Sequence, residues 1–169
     1  MKYILNLQLW KQIISLQKKL DARILEEKKL LVEKTIDKRF LALLVELSEF
    51  SNELRCFKYW SNRMTYKSKE LVLDEFIDCL HFLISIGLSF NIDLEAYSYE
   101  LKQEQDLTLL ILETFNHTIA FWKNITNDYA NILNYFFTIA NVLQFSFQDI
   151  FQAYLNKNEI NHQRISNNY

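Results

Sequence analysis

The chain has 169 residues, half of them apolar and about a quarter charged, with one glycine and no proline, which predicts a single domain with a packed core. Hairpin turns, phosphate-cradling loops, dinucleotide fingerprints and the strained elbow of hydrolase serines all need glycines at set offsets, so those chemistries are excluded. Nineteen basic against twenty-one acidic residues leave a formal charge of −2, so no whole-molecule field points to a nucleic-acid polymer or an anionic membrane.

The first predicted helix covers about residues 4–28, where Trp10, Ile13, Ile14, Gln17, Leu20 and Ile24 recur at helical spacing and place Gln17 inside an apolar stripe. A second, about 37–57, is carried by Phe40, Leu41, Leu44, Val45, Leu47, Leu54 and Phe57, with Asp37 as its cap. Residues 60–68 read as a polar connector. A third helix, about 68–88, is capped by Ser68 and stopped at Gly87, and residues 91–95 make the next turn. Two further apolar helices, about 103–125 and 128–155, complete an all-α antiparallel bundle of about five helices. Residues 156–169 lack apolar periodicity and read as a mobile polar tail of the same domain. Cys56 and Cys79 match no metal or redox spacing, and no apolar run reaches the roughly 18–20 residues that span a bilayer. No segment reads as a leader, so the cytoplasm is the expected compartment.

Chemistry, where it exists, has to sit on helix faces. Glu46, Glu49 and Glu53 stand at i, i+3 and i+7 of the second helix, a spacing that puts three like charges on one side. On the third helix Glu75 and Asp78 are again three apart, among the apolar Phe76, Ile77 and Leu80. A single acidic pair on a helix is ordinarily a solvated face. Two pairs on neighbouring helices can converge into a hard, oxygen-only environment suited to Mg²⁺ or Mn²⁺. A di-iron bundle needs a Glu-x-x-His pair on each of two helices, and only Asp78 and His81 approach that pattern. Gln17 offers both a donor and an acceptor, and a core amide bonded to backbone is its plain reading. Phe82, one turn after Asp78 on the same face, has core packing as the commoner fate of a helix phenylalanine. His81 reads as a structural partner of Asp78.

The stretches LLVELSEFSNELRCFKYWS, LDEFIDCLHFLISIGL and YLNKNEINHQRISNNY resemble the dimeric all-α dUTPases of bacteria and phages, within the all-α nucleoside triphosphate pyrophosphohydrolases. The acidic motifs belong to the whole superfamily, whereas RCFKYWS and the KN-x-x-N-x-x-R tail ending in tyrosine carry the likeness to dUTPases. The resemblance implies a homodimer that hydrolyses dUTP to dUMP and pyrophosphate. It implies that Glu46, Glu49, Glu75 and Asp78 bind Mg²⁺, that Glu46 or Glu49 orients the attacking water, and that Glu53 belongs to an outer shell or pairs with Arg55 or Lys58. It further implies that Gln17 reads the base, that Phe82 stacks on it, and that Lys58 and Trp60 contact the nucleotide. Lys157, Asn158, Asn161, Arg164 and Tyr169 match a segment that covers substrate in such enzymes. Ile165 and Asn168 depart from the usual pattern, which has Gln and Gly at those places. Surplus aromatics (Trp122, Tyr135, Phe136, Phe137, Phe145, Phe147, Phe151) are expected to face a second copy. Two alternatives stand beside this reading: cleavage of dCTP or a non-standard triphosphate, and, if phage-encoded, a helical binding protein that sequesters a repressor.

Overall fold

The structure, a computed structural model, describes residues 5–63, 65–98, 100–124 and 128–167. Among these residues it contains six α-helices: α1 (Leu7–Glu27), α2 (Ile36–Leu54), α3 (Lys69–Ser89), α4 (Leu107–Lys123), α5 (Asp128–Val142) and α6 (Phe147–Ser166), with a 3₁₀ turn at Val32–Lys34 before α2. No strand occurs among the described residues, and none of their helices is long and apolar enough to cross a membrane. α2 packs on α3 and α4 on α5, while α6 lies against α1 and α3.

Short polar side chains start the helices. Asn6 accepts from the amides of Gln8 and Leu9, Ser68 from Leu71, and Asp106 from Thr108 and Leu109. Each satisfies donors that a helix N-terminus leaves open. Asp37 is not the cap of α2: Thr35 holds that position, and Asp37 accepts instead from Trp122 Nε1 at 2.9 Å. With a single glycine in the chain, the left-handed turn positions fall to Lys29, Arg55, Asn91 and Gln144, with φ between 52° and 65°.

Gln144 marks the first departure from the expected fold. The segment predicted as one helix over 128–155 is two, because Gln144 reverses the backbone and Ser146 and Asp149 form a reciprocal capping box that starts α6. The second departure is the tail. Residues 156–166 continue α6 as an ordered helix, so the mobile terminus expected from composition is not what the structure shows. Its buried positions, Tyr154, Lys157, Asn158 and Ile165, keep helical spacing, but two of them are polar and hide the stripe from a hydrophobicity reading. Arg23 of α1 ties down the far end by donating to the His162 carbonyl at 3.2 Å and to Ser166 Oγ at 2.8 Å.

The core is aromatic. Phe76 stacks on Phe136 with centroids 4.1 Å apart and meets Phe50 and Phe145 edge-on, and Trp10 Nε1 donates to the Leu94 carbonyl. Phe136, Phe137, Phe145, Phe147 and Phe151 are all buried in this chain's own core, so they are not a surplus awaiting a second copy. Trp122 is exposed.

Gly87 does not stop α3, which runs on to Ser89 before the chain turns at Asn91. Its role is close approach: a Cβ there would lie 2.5 Å from Tyr129 Oη, whose hydroxyl donates to the Leu83 carbonyl at 2.6 Å. Gly87→Ala gains up to about 1 kcal/mol of helix propensity. It costs about 1–3 kcal/mol of overpacking and threatens a buried hydrogen bond. A fall in Tm of several degrees is expected in a thermal melt; an unchanged or higher Tm would contradict this packing.

Candidate active site

The packing of α2 on α3 brings Glu46 together with Glu75 and Asp78, and one carboxylate oxygen from each lies within 4.8 Å of the others. The i, i+3 spacing sets Glu75 and Asp78 on one side of α3. Glu49, one turn beyond Glu46, is exposed and lies outside this trio, yet its charge adds to the repulsion felt by Glu46 and Glu75. Burial, and then repulsion from Asp78, Glu49 and Glu75, pushes the Glu46 carboxyl up to about 7. Glu75 and Asp78 are also raised, burial again being the first cause. Asp78 is partly relieved by Lys157, whose ammonium donates to it at 2.7 Å and to Asp74 at 2.8 Å. Glu75 Oε2 is buried without a hydrogen-bond partner. Arg55 donates to the Arg63 carbonyl and Ser61, and Lys58 to Asn52, so neither of these donors is turned to Glu53.

Beside the acids lies a cleft of about 520 Å³. Gln17, Glu46, Asp78, Phe82, Asn161 and Arg164 all line it, so residues singled out on α1, α2, α3 and α6 meet at one place. Other expected contacts do not reach it. Trp60 is 65% exposed and packs edge-on to Phe57 and Tyr59, Lys58 sits over the Phe57 ring, and Lys157 is taken up by the two aspartates. Tyr169 lies outside the described residues.

Gln17 is buried, but its partners are side chains rather than backbone. Its Nε2 donates to Asp21 Oδ1 at 2.9 Å, and its Oε1 accepts from the Tyr154 hydroxyl and lies 2.7 Å from His81 Nδ1. His81 therefore partners Gln17 and not Asp78 as expected. Its ring stacks on Tyr154 with centroids 4.1 Å apart, and burial, followed by the Lys157 charge, holds its pKa down to about 3. Asp21 also accepts from Arg39 at 2.9 Å and Ser85 at 2.7 Å.

The family described as dUTPase matches the chain over residues 9–169. The chain belongs to the all-α dUTPase family. It is a dUTP diphosphatase. Among curated proteins, none matches the chain. Enzymes of this family generally depend on a divalent metal, and the donors present fit one: three oxygen ligands held together against their own repulsion, with a buried oxygen unpartnered.

That repulsion has a measurable sign. In the metal-free dUTPase the Glu46 carboxyl titrates near 7 when folded and near 4.5 as a free group, so between those values the native state holds the extra proton. Stability of the metal-free protein is therefore expected to fall as pH rises through that window. A bound divalent cation removes the penalty. Addition of Mg²⁺ is expected to raise Tm by several degrees at about pH 8 and much less at about pH 5. Equal shifts at the two pH values in paired melts with EDTA and Mg²⁺ would contradict the cluster's electrostatics.

Asp21, Arg39, Ser85 and Tyr154 were not singled out by sequence. Their signal was present in part: Asp21 follows Gln17, and Ser85 follows His81, by four residues, one helical turn along the same face.

Proposed function

We propose that this dUTPase cleaves the bond between the α- and β-phosphates of dUTP, water adding to give dUMP and pyrophosphate, with Mg²⁺ or Mn²⁺ held by Glu46, Glu49, Glu75 and Asp78. The observation that carries the reading is the shared cleft: Glu46 and Asp78 line the same space as Gln17 and Phe82, which supports one site for the phosphates and the base. A divalent cation bound there supplies neutralisation of the triphosphate charge and polarisation of its oxygens. Glu46, a carboxylate held beside the other two acids, is the group proposed to take the proton of the attacking water, with Glu49 one turn away to orient it.

Arg164 and Asn161 of α6 line the same cleft, which supports the reading that Arg164 meets phosphate and Asn161 the sugar or base. Lys58, Trp60, Lys157 and Tyr169 are proposed as further nucleotide contacts on family likeness alone, and α6 with the residues after it as the element that covers substrate. A homodimer is proposed on a different surface from the aromatics first expected. Leu41 and Val45 of α2, with Leu109, Leu112 and Trp122 of α4, are exposed apolar side chains on two helices that pack together. The free cysteines Cys56 and Cys79 fit a reducing cytoplasm.

Base choice tests the assignment. Gln17→Leu removes the amide from the cleft and is expected to erase a preference for dUTP over dCTP that the unmutated protein shows, because a site built to bond one base edge leaves its polar groups unpaired against the other. Initial rates on a panel of deoxynucleoside triphosphates measure this. Equal hydrolysis of dUTP and dCTP by the unmutated protein would move the assignment to a broader triphosphate pyrophosphohydrolase.

A further inference from the structure

Asp21 stands apart from the metal cluster and divides its two oxygens between two tasks. Oδ2 takes Arg39 and Ser85, and Arg39 is itself braced by Thr35 Oγ1 at 2.9 Å. Oδ1 takes Gln17 Nε2. A carboxylate held by a guanidinium has only lone pairs to offer, so the Gln17 amide must turn its NH₂ toward Asp21 and its carbonyl away. The carbonyl meets the Tyr154 hydroxyl and His81 Nδ1. Two acceptors cannot share one hydrogen bond, so the imidazole proton sits on Nδ1. In a neutral ring, Nε2 is then a bare acceptor. That atom is buried and has no hydrogen-bond partner in the described protein, on a residue that is 5% exposed and lines the cleft. A buried acceptor left empty calls for a donor that the chain does not supply, a water molecule or a ligand.

We infer that Asp21 sets the base preference of the cleft, because through Gln17 it fixes the His81 tautomer so that Nε2 meets the base as an acceptor. Such an acceptor takes the N3–H of a uracil ring and faces the N3 lone pair of cytosine unfavourably. Asp21 is thus a positioning residue acting through Gln17 and His81. The inference rests on the proposed dUTP reaction for its base, but the tautomer does not.

The test uses full-length protein labelled with ¹⁵N-histidine, free of metal and nucleotide, at neutral pH. Two-bond ¹H–¹⁵N spectra, with the His81 signals assigned by their loss in His81→Gln, are expected to show the Nδ1–H tautomer. Asp21→Asn adds an amide that lets Gln17 turn over. It is expected to mix the tautomers and to lower the dUTP-over-dCTP ratio of kcat/KM at least about tenfold. Asp21→Glu, which keeps an acceptor-only group, is expected to retain most of the ratio. An Nε2–H tautomer in the wild-type protein overturns the inference whether or not Asp21→Asn folds. So does a folded Asp21→Asn that keeps both the tautomer and the ratio. A wild-type protein that hydrolyses no dUTP would overturn the proposed reaction instead, with the Nδ1–H tautomer still in place.

Discussion

Glu46→Gln is expected to lower dUTP turnover by about 10²–10⁴-fold while leaving the fold intact. The substitution keeps the shape of the side chain and removes its charge and its capacity to take a proton. Glu46 is half-buried, within reach of Glu75 and Asp78, and raised to about 7 by burial and by their repulsion. Removing the charge therefore relaxes the metal-free protein even as it disables the reaction, a common exchange of stability for activity at functional sites. Two readouts separate these effects. Pyrophosphate release should collapse, and the metal-free Tm at about pH 8 should be unchanged or higher, with a smaller rise on adding Mg²⁺. Turnover near that of the wild type would show that Glu46 is not part of the reacting site.

Deleting residues 156–169 is expected to unfold the protein or to lower its Tm by more than about 10 °C. A solvated tail could be removed at no structural cost, and that was the expectation from composition. The structure argues the reverse. Lys157 is 9% exposed and its ammonium bridges Asp74 and Asp78, so its loss leaves two carboxylates of α3 facing each other and the rest of the acidic cluster. Taking one partner from a buried ion pair costs up to about 3–5 kcal/mol, less here because Asp74 is more than half exposed. The deletion also uncovers the surfaces that Asn158 and Ile165 bury and removes the His162 and Ser166 partners of Arg23. Circular dichroism melts and limited proteolysis of the truncated chain measure the outcome. A Tm equal to that of the full chain would mean that α6 ends, energetically, at Leu155.

What sequence could reveal depended on whether a residue's partner lay on its own helix. The stripe of α1 from Trp10 to Leu20 is buried as its spacing predicted, and Ser68 caps α3 as its position suggested. Glu75 and Asp78 were legible because the i, i+3 rule places them on one face without knowledge of any other helix. The break at Gln144 was not, because apolar residues continue on both sides of it; the Ser146 to Asp149 capping signature was the available sign. Lys157 and Asn158 look like surface residues in sequence, and the burial of Lys157 is tolerable because α3 supplies carboxylates from a distant part of the chain. The environment of His81 was hidden for the same reason: Gln17 and Tyr154 reach it from α1 and α6. The aromatics of α5 and α6 were misassigned to a dimer because counting rings does not say how much core α2 and α3 leave to fill.

The most direct measurement of the central claim follows dUTP by ³¹P NMR in the presence of the purified wild-type protein, with Mg²⁺ and with EDTA. The expected result is the appearance of dUMP and pyrophosphate with Mg²⁺ and a stable triphosphate without it. Release of dUDP and inorganic phosphate, or the same rate of cleavage in EDTA, would contradict a pyrophosphohydrolase whose carboxylate cluster works through a divalent cation.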